Sequence, residues 1–255
     1  MKIATWNVNS IRTRLDHIKS WIEIHNPDVL SFQETKVRDE DFPEEYFRGL
    51  GYNVYYSGQK SYNGVATITK MQSTDIVDTF PGYDEEQRRF LGLTVGDVRI
   101  LNVYVPNGSD TGTEKYAYKL NWMASFAPYV ASELHSSSKL AIVGDFNIAP
   151  DDLDVFDPKK CAGQLLCSEP ERFALKELMA EGFIDTYRSL LPDGRAFSWW
   201  DYRGGAFRLN QGFRIDLILA SSALMETCQY CEIDREPRML EKPSDHAPVI
   251  ANFAL

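Results

Sequence analysis

No apolar run in this chain approaches the roughly 18 residues that a membrane helix needs. The amino terminus passes straight from Met1 into Lys2 to Val8, without the basic-then-apolar pattern of a secretory leader. A cytoplasmic protein is the expectation. Cysteine is scarce, with four in 255 residues. Cys228 and Cys231 form a Cys-x-x-Cys pair, but Cys161 and Cys167 are spaced more widely, lie far upstream, and have no His in register. A structural zinc site usually has two tight pairs, so four free thiols in a reducing compartment is the better reading. The sequon Asn107-Gly108-Ser109 carries no weight without a secretory signal. Pro/Gly/Ser-rich linkers and solenoid repeats are missing too. One domain over 1–255 is expected, long enough to bury about three quarters of its unfolded surface.

An excess of positive charge is also absent, since 27 Lys and Arg stand against 37 Asp and Glu, for a net charge of −10. That excludes a protein that coats nucleic acid by overall charge, because phosphate binding works by displacing counterions with Lys and Arg. It does not exclude an enzyme acting on nucleic acid. Carboxylates gathered round a divalent cation account for part of the negative charge, and basic residues need only line the binding face.

What is present is a succession of short apolar runs rich in Val, Ile, Tyr and Phe. They are Lys2 to Val8, Val29 to Gln33, Asn53 to Ser57, Gly64 to Thr69, Arg99 to Val105, Leu140 to Gly144, Phe213 to Ala220 and Val249 to Phe253. Their length and turn-residue boundaries read as strands. Helical spacing recurs in Leu15, Ile18, Trp21 and Ile22, in Leu120, Met123, Ala127, Val130 and Leu134, and in Phe173, Leu175, Leu178 and Met179. Several strands are apolar on both faces and need cover on both sides, so the pattern predicts an α+β sandwich of two sheets flanked by helices.

The chemistry lies where polar residues end these runs. Asn7 follows Ile3 to Trp6, Glu34 follows Val29 to Gln33, Asp145 and Asn147 follow Leu140 to Gly144, and Asp245 with His246 precedes the last strand. Strand ends in a sheet sandwich converge on one rim, so carboxylates and amides distant in sequence can meet around a hard, oxygen-seeking cation.

The segments Trp6-Asn7-Val8-Asn9, Gln33-Glu34-Thr35-Lys36, Tyr104-Val105-Pro106-Asn107, Gly144-Asp145-Phe146-Asn147, Arg214-Ile215-Asp216 and Ser244-Asp245-His246-Ala247-Pro248 occur in this order. Together they resemble the exonuclease III and abasic-site endonuclease family, within the endonuclease/exonuclease/phosphatase superfamily. The resemblance implies a four-layer α/β/β/α sandwich of two packed mixed sheets flanked by helices. It implies Mg²⁺, with Mn²⁺ able to substitute, held among Asn7, Glu34, Asp145, Asn147, Asp245 and His246. Asp145 would be the general base that activates water. His246, bonded to Asp216, would hold the scissile phosphate, and Tyr104 and Asn147 would donate to its oxygens.

Substrate choice is expected to rest on Phe197-Ser198-Trp199-Trp200-Asp201-Tyr202-Arg203, continued by Phe207-Arg208 and Phe213-Arg214. Aromatic and basic residues interleave there as in a stacking platform with phosphate partners. Trp199, Trp200, Arg203 and Phe213, with Asn107, Arg88 and Arg89, form the expected DNA-binding set. In the family that this chain resembles, the residue at Trp199 lines the pocket for an abasic deoxyribose. The pair Arg88-Arg89, after Glu85-Glu86-Gln87, fits a motif that grips the DNA backbone, and Lys36, Arg38, Lys115 and Lys119 are further basic candidates. A monomer acting on double-stranded DNA at abasic sites or 3′ ends is implied. The segment Asp151 to Glu169 departs from the family pattern, which leaves open whether internal abasic sites or only 3′ ends are cut. A small-molecule phosphatase and a non-catalytic DNA-binding relative remain the rival readings.

Overall fold

The structure is a computed structural model, and it describes every residue except Asp84 and Glu85. Glu85 of the motif before Arg88 therefore lies outside the described residues. In chain order the strands are β1 (Lys2–Asn7), β2 (Val29–Gln33), β3 (Asn53–Ser57), β4 (Val65–Thr69), β5 (Ser73–Val77), β6 (Phe90–Val95), β7 (Val98–Tyr104), β8 (Leu140–Asp145), β9 (Phe183–Asp185), β10 (Asp216–Ser221), β11 (Cys228–Ile233) and β12 (Val249–Phe253). They form two six-stranded sheets, ordered β11-β12-β1-β2-β4-β3 and β5-β6-β7-β8-β10-β9. Both are mixed, because β1 pairs with β2 and β7 with β8 in parallel, while the other neighbours are antiparallel.

The helices are α1 (Leu15–His25), α2 (Glu44–Gly49), α3 (Glu114–Ser136), α4 (Pro158–Cys161), α5 (Glu169–Ala180), α6 (Thr186–Leu190) and α7 (Ser222–Met225). Helix α1 ends where Asn26 takes a left-handed conformation and returns its N–H to Ile22. Helix α3 begins at Thr113, whose hydroxyl accepts from Tyr116 N–H. No helix among the described residues is long and apolar enough to cross a membrane.

Three stacked cores make the four layers. Ile18, Trp21 and Phe47 pack on Ala4, Trp6, Leu30, Phe32 and Ile68 of the first sheet. Trp122, Phe126, Leu175 and Leu178 pack on Leu101, Val103, Ile142, Leu217 and Leu219 of the second. Between the sheets lie Ile3, Val29, Ile100, Ala141, Val143, Ile218, Ala220 and Val249. Phe173, expected on the apolar face of its helix, is 64% exposed. Leu175 and Leu178 carry the buried face instead.

The period of two along a strand then decides where function sits. Residues alternate between the helix side and the other sheet. In β1 the face that contains Ile3 continues to Thr5 and Asn7, and in β8 the face of Ala141 and Val143 continues to Asp145. In β10 Ile218 and Ala220 share a face with Asp216, and in β7 Ile100 shares one with Asn102 and Tyr104. The inter-sheet layer therefore turns polar at one rim. Just below that rim, Gln33 donates to Thr5 (2.8 Å) and Asn102 (2.7 Å), and Asn102 of the second sheet donates to the Ala66 carbonyl of the first (2.9 Å).

Candidate active site

Asp145 ends β8 with Tyr104 opposite it on one side and Asp216 opposite it on the other. The preceding Gly144 has φ of 147°, and a Cβ there would run into the Val103 carbonyl. Only glycine lets β8 lie this close to β7 while presenting Asp145. The chain then turns through Asn147, whose φ is 50° and whose N–H donates to Asp145 Oδ1 (2.9 Å). The other sheet brings Asn7 and Glu34. Asn7 pairs with Gln33 in parallel register, so Glu34, one residue on, reaches the same rim. Asn7 Nδ2 donates to Glu34 Oε1 (2.8 Å) and to Asp145 Oδ2 (2.9 Å), bridging the sheets. His246 enters from the loop before β12, fixed by Ser244 Oγ, which accepts its N–H (3.2 Å) and donates to the Asn7 carbonyl (2.7 Å).

His246 Nδ1 donates to Asp216 Oδ2 (2.9 Å), and its Nε2 faces Asp145 Oδ2 at 3.8 Å. Asp216 is aimed by Ser198 Oγ, which accepts the N–H groups of Ile215 and Asp216 (3.0 Å each). Asp245 accepts from Trp199 Nε1 and Asn9 Nδ2, both at 2.9 Å. Asn147 Oδ1 accepts from Asn107 Nδ2 (3.0 Å).

Burial and charge set the protonation states. Burial pushes the Asp145 carboxyl up to about 7, against the opposing charge of His246. For His246, burial favours the neutral ring, but Asp216 and then Asp145 override it and push the imidazole up to about 10. Burial also works against ionised Glu34, yet the Lys36 ammonium at 2.8 Å and the Asn7 amide hold its carboxyl below the ordinary range. Asp245 is lowered as well, because His246 and its bonds from Trp199 and Asn9 outweigh burial. Burial, then Glu34, raises the Tyr104 phenol well above its ordinary value, so it stays a neutral donor.

The donor set fits a hard divalent cation. Ligand atoms of Glu34, Asp145 and His246 lie within 4.8 Å of one another. His246, held as a cation by two aspartates, is suited to an anion rather than to the metal. Asn7 and Asn147 stand beside the carboxylates, but the oxygen of each amide already accepts a bond, from Asn9 N–H (3.0 Å) and from Asn107. Asp245 is outside this group. Glu34 and Asp145 are its carboxylates, and although each of their oxygens already meets a donor within the site, a carboxylate oxygen keeps a further lone pair for a cation.

The expected DNA-facing residues divide. Trp199 and Phe213 are half-buried beside His246, with ring centroids 5.6 Å apart and Trp199 6.4 Å from the imidazole. Trp200, expected beside Trp199 on a stacking platform, has no exposed surface. It packs with Phe197, Ala206 and Ala247 under the Arg235 and Arg238 guanidinium groups, so its face is not available to a base. Arg203 is exposed and paired with Asp201. Arg88 pairs with Asp78 at 3.1 Å, while Arg89 is buried over the Tyr104 ring, 4.6 Å from its centroid. Arg214 is wholly buried between Asp154 and Asp185 at 2.7 Å each, not on the surface. Lys119, another basic candidate, is also fully buried. Lys36 and Arg38 pair with Glu34 and Glu40. A cavity of about 490 Å³, lined by Tyr62, Arg89, Asn107 and Lys115, does not contain Glu34 or Asp145 but meets the site through Asn107, which donates to Asn147.

Sequence reasoning gave no role to Asn9, Ser198 or the inter-sheet Asn102. Asn9 was within reach, as the second amide in Trp6-Asn7-Val8-Asn9. Ser198 and Asn102 carry no local signal, since one polar residue within an apolar run reads as an ordinary interruption.

A two-sheet sandwich whose rim gathers paired carboxylates, a charged imidazole and an aromatic pocket defines a class of metal-assisted phosphoester hydrolases. The chain matches the Endonuclease/Exonuclease/phosphatase family over residues 4–246, and it belongs to that family. It is 38% identical over 266 residues to an exodeoxyribonuclease III of Haemophilus influenzae, covering 99% of this chain and 100% of the relative. Among solved structures, a 3′ phosphatase from Neisseria bound to a product DNA hairpin superposes with a TM-score of 0.98 at 40% identity, covering 100% of both chains. An AP endonuclease from Archaeoglobus fulgidus superposes with a TM-score of 0.96 at 38% identity, again covering 100% of both.

Proposed function

We propose that this protein is a Mg²⁺-dependent DNA repair phosphodiesterase that trims 3′ ends, removes 3′ blocks and incises abasic sites in double-stranded DNA. The observation that carries this reading is the approach of Asp145 to Glu34 on one side, through Asn7, and to charged His246 on the other. A nucleophile and a scissile phosphate can then occupy the same small space. The names of the similar proteins, an exodeoxyribonuclease III, a DNA-bound 3′ phosphatase and an AP endonuclease, support DNA as the substrate.

Glu34 and Asp145 would hold Mg²⁺, or Mn²⁺ in its place, with Asn7 fixing both carboxylates. Bound there, the ion supplies Lewis-acid stabilisation of charge on the phosphate oxygens. Asp145 takes the proton from the attacking water, a task suited to a buried carboxylate held beside the cation and 3.8 Å from His246. His246 offers Nε2–H and a positive charge to the phosphate, and Asp216 keeps that proton in place. Neutral Tyr104 and the Asn147 amide donate to oxygens on which charge builds. Trp199 and Phe213 stack on the sugar at the damaged site. Asn107 and Arg203 contact the strand, and Arg88 does so by exchanging Asp78 for a phosphate. Arg89 acts through the Tyr104 ring.

The chain works as one domain over 1–255 and as a monomer, since a single copy supplies every residue of the site. Free thiols at Cys161, Cys167, Cys228 and Cys231 support a cytoplasmic setting.

The narrower reading, cutting only at 3′ ends, turns on the unmatched segment, whose Phe156, Leu165 and Leu166 cluster with Trp199 and Phe213 and so form part of the pocket wall. The experiment is Mg²⁺-dependent cleavage of a labelled duplex with an internal abasic site beside one with a recessed 3′ end, with chelator as control. A nick at the abasic site supports the broad reading. Loss from the 3′ end alone supports the narrow one, and no cleavage of either rejects both.

A further inference from the structure

Lys119 lies on α3 in helical step with Trp122, Met123, Phe126 and Val130, on the buried face of that helix. Its ammonium donates to the main-chain carbonyls of Asn147 (2.6 Å) and Asn107 (3.3 Å) and pairs with Glu171 of α5. Glu171 is equally buried and accepts from Leu166 N–H (3.1 Å), Ser168 N–H (3.1 Å) and the Ser168 hydroxyl (2.6 Å). Three separate stretches therefore meet on one ion pair. One carries Asn107, one carries Asn147, and the third is the carboxyl end of the segment between Asp151 and Glu169. Ala149 N–H also donates to the Leu166 carbonyl (2.8 Å), tying the second stretch to the third.

A wholly buried ion pair contributes little net stability, because desolvating both charges offsets their attraction, and well-packed apolar replacements are often neutral or better. What apolar side chains would not supply is direction. An ammonium has three N–H donors and no acceptor, and here they are spent on two carbonyls and a carboxylate. Those carbonyls belong to residues whose side chains face the site, where Asn107 donates to Asn147 and the Asn147 N–H donates to Asp145. Leu166, held from the Glu171 side, clusters with Trp199 and Phe213.

We propose that Lys119 and Glu171 form a positioning pair that couples the pocket wall at Leu166 to the amides of Asn107 and Asn147. Its effect on rate rests on the nuclease reading above, whereas its effect on the three stretches does not. Neither residue touches the reacting atoms. The pair fixes the spacing between the pocket for the sugar and the donors to the phosphate.

Lys119→Met alone would strand a buried carboxylate and Glu171→Gln alone a buried ammonium, so the test uses the double variant K119M/E171L, with K119Q/E171Q as a milder companion that keeps polar groups at both positions. Three quantities are measured on the full chain. They are the melting temperature, kcat and KM on a duplex ending in a 3′ phosphate, and amide hydrogen exchange over residues 105–109, 147–149 and 165–168. K119M/E171L strands the carbonyls of Asn107 and Asn147 and the N–H groups of Leu166 and Ser168, so it is expected to fold but to melt below the parent temperature. Measured well below that melting, kcat should fall about tenfold to a hundredfold while KM changes little. Exchange should quicken in all three stretches together, and K119Q/E171Q should give the same signature at smaller amplitude. If K119M/E171L does not fold, K119Q/E171Q decides by the same readouts. A folded variant with parental kcat overturns the pairing, and so does unchanged exchange in the three stretches. A parent inactive on DNA removes the nuclease reading instead, and exchange alone then decides the coupling.

Discussion

Asp145 and Asp216 face each other as register partners on antiparallel β8 and β10. Two buried carboxylates this close could not both be ionised without a cation between them, and His246 fills that place, 2.9 Å from Asp216 and 3.8 Å from Asp145. On the proposed reading the triad gives a base in Asp145 and a cation in His246 without an exposed charge, and the first expectations follow from it.

Replacing Asp145 with Asn keeps size and hydrogen bonding but removes the base. Single-turnover cleavage of a 3′-phosphate duplex should slow by about 10²- to 10⁴-fold, while DNA affinity measured by equilibrium titration stays close to the parent. A variant that cleaves at the parental rate would remove Asp145 from the role of base.

The pH profile follows from the same groups. On the proposed reading turnover uses ionised Asp145 and protonated His246, so the rate should fall on the alkaline side, toward about 10. Mg²⁺, by favouring the ionised carboxylate, should hold the acid limb below the cation-free value of about 7. Asp216→Asn removes the largest influence that raises His246 against burial, so the alkaline limb should move to lower pH. Stability carries the same sign. The His246 contribution is fully present below its ordinary 6.5 and is lost as pH rises through about 10. Asp145, raised from 3.8 to about 7, likewise favours the folded state less as pH rises through that range. Thermal unfolding without divalent cation should therefore show a falling melting temperature toward pH 10, and D216N should flatten the fall. An unchanged alkaline limb in D216N would show that Asp216 does not hold the His246 proton.

Trp199 and Trp200 are adjacent, yet their variants should fail in different assays. Trp199→Ala should lose about 1 to 3 kcal/mol of binding to abasic or 3′-damaged DNA with a smaller effect on undamaged duplex, because the ring borders the pocket beside His246. Trp200→Ala should instead destabilise the fold by about 3 to 5 kcal/mol, since that ring has no exposed surface. Denaturant titration and binding curves separate the two, and an equal effect of Trp199→Ala on damaged and intact DNA would argue against a sugar pocket.

Glu34→Gln leaves a hydrogen-bonding amide where the charge stood. It should raise the Mg²⁺ concentration needed for half-maximal cleavage by about 10- to 100-fold, with the melting temperature of the cation-free protein little changed. Unaltered Mg²⁺ dependence would move the metal away from Glu34.

For Arg203, exposed and paired only with Asp201, Ala should weaken binding uniformly across sequences and reduce the salt slope by about one. An unchanged slope would place it off the DNA path.

The sequence alone determined which residues end on the rim. Apolar runs lead into Asn7, Glu34 and Asp145, and a strand places every second side chain on the same face, so strand and site residue were legible together. Asp216 fell inside the run Phe213 to Ala220 and took its role from the family resemblance alone. Val29 to Gln33, Asn53 to Ser57 and Val249 to Phe253 kept the bounds read from their composition. Other strands carried less signal. β5 is largely exposed, Gly92 interrupts β6, β9 has 3 residues and β11 buries only Cys231. Neighbouring strands make these segments extended by hydrogen bonding, which no local pattern encodes.

Only the tertiary structure decided which aromatic and basic residues meet solvent. Trp199 and Trp200 are the same residue type in the same motif, and what separates them is the Arg235 to Arg238 turn folded over one of the two rings. Arg214 and Lys119 read as surface charges until Asp154, Asp185 and Glu171 arrive from distant segments to pair with them. Composition gives a charge its sign, but burial depends on elements far away in the chain, and in this protein it turns would-be DNA contacts into the supports that hold the site.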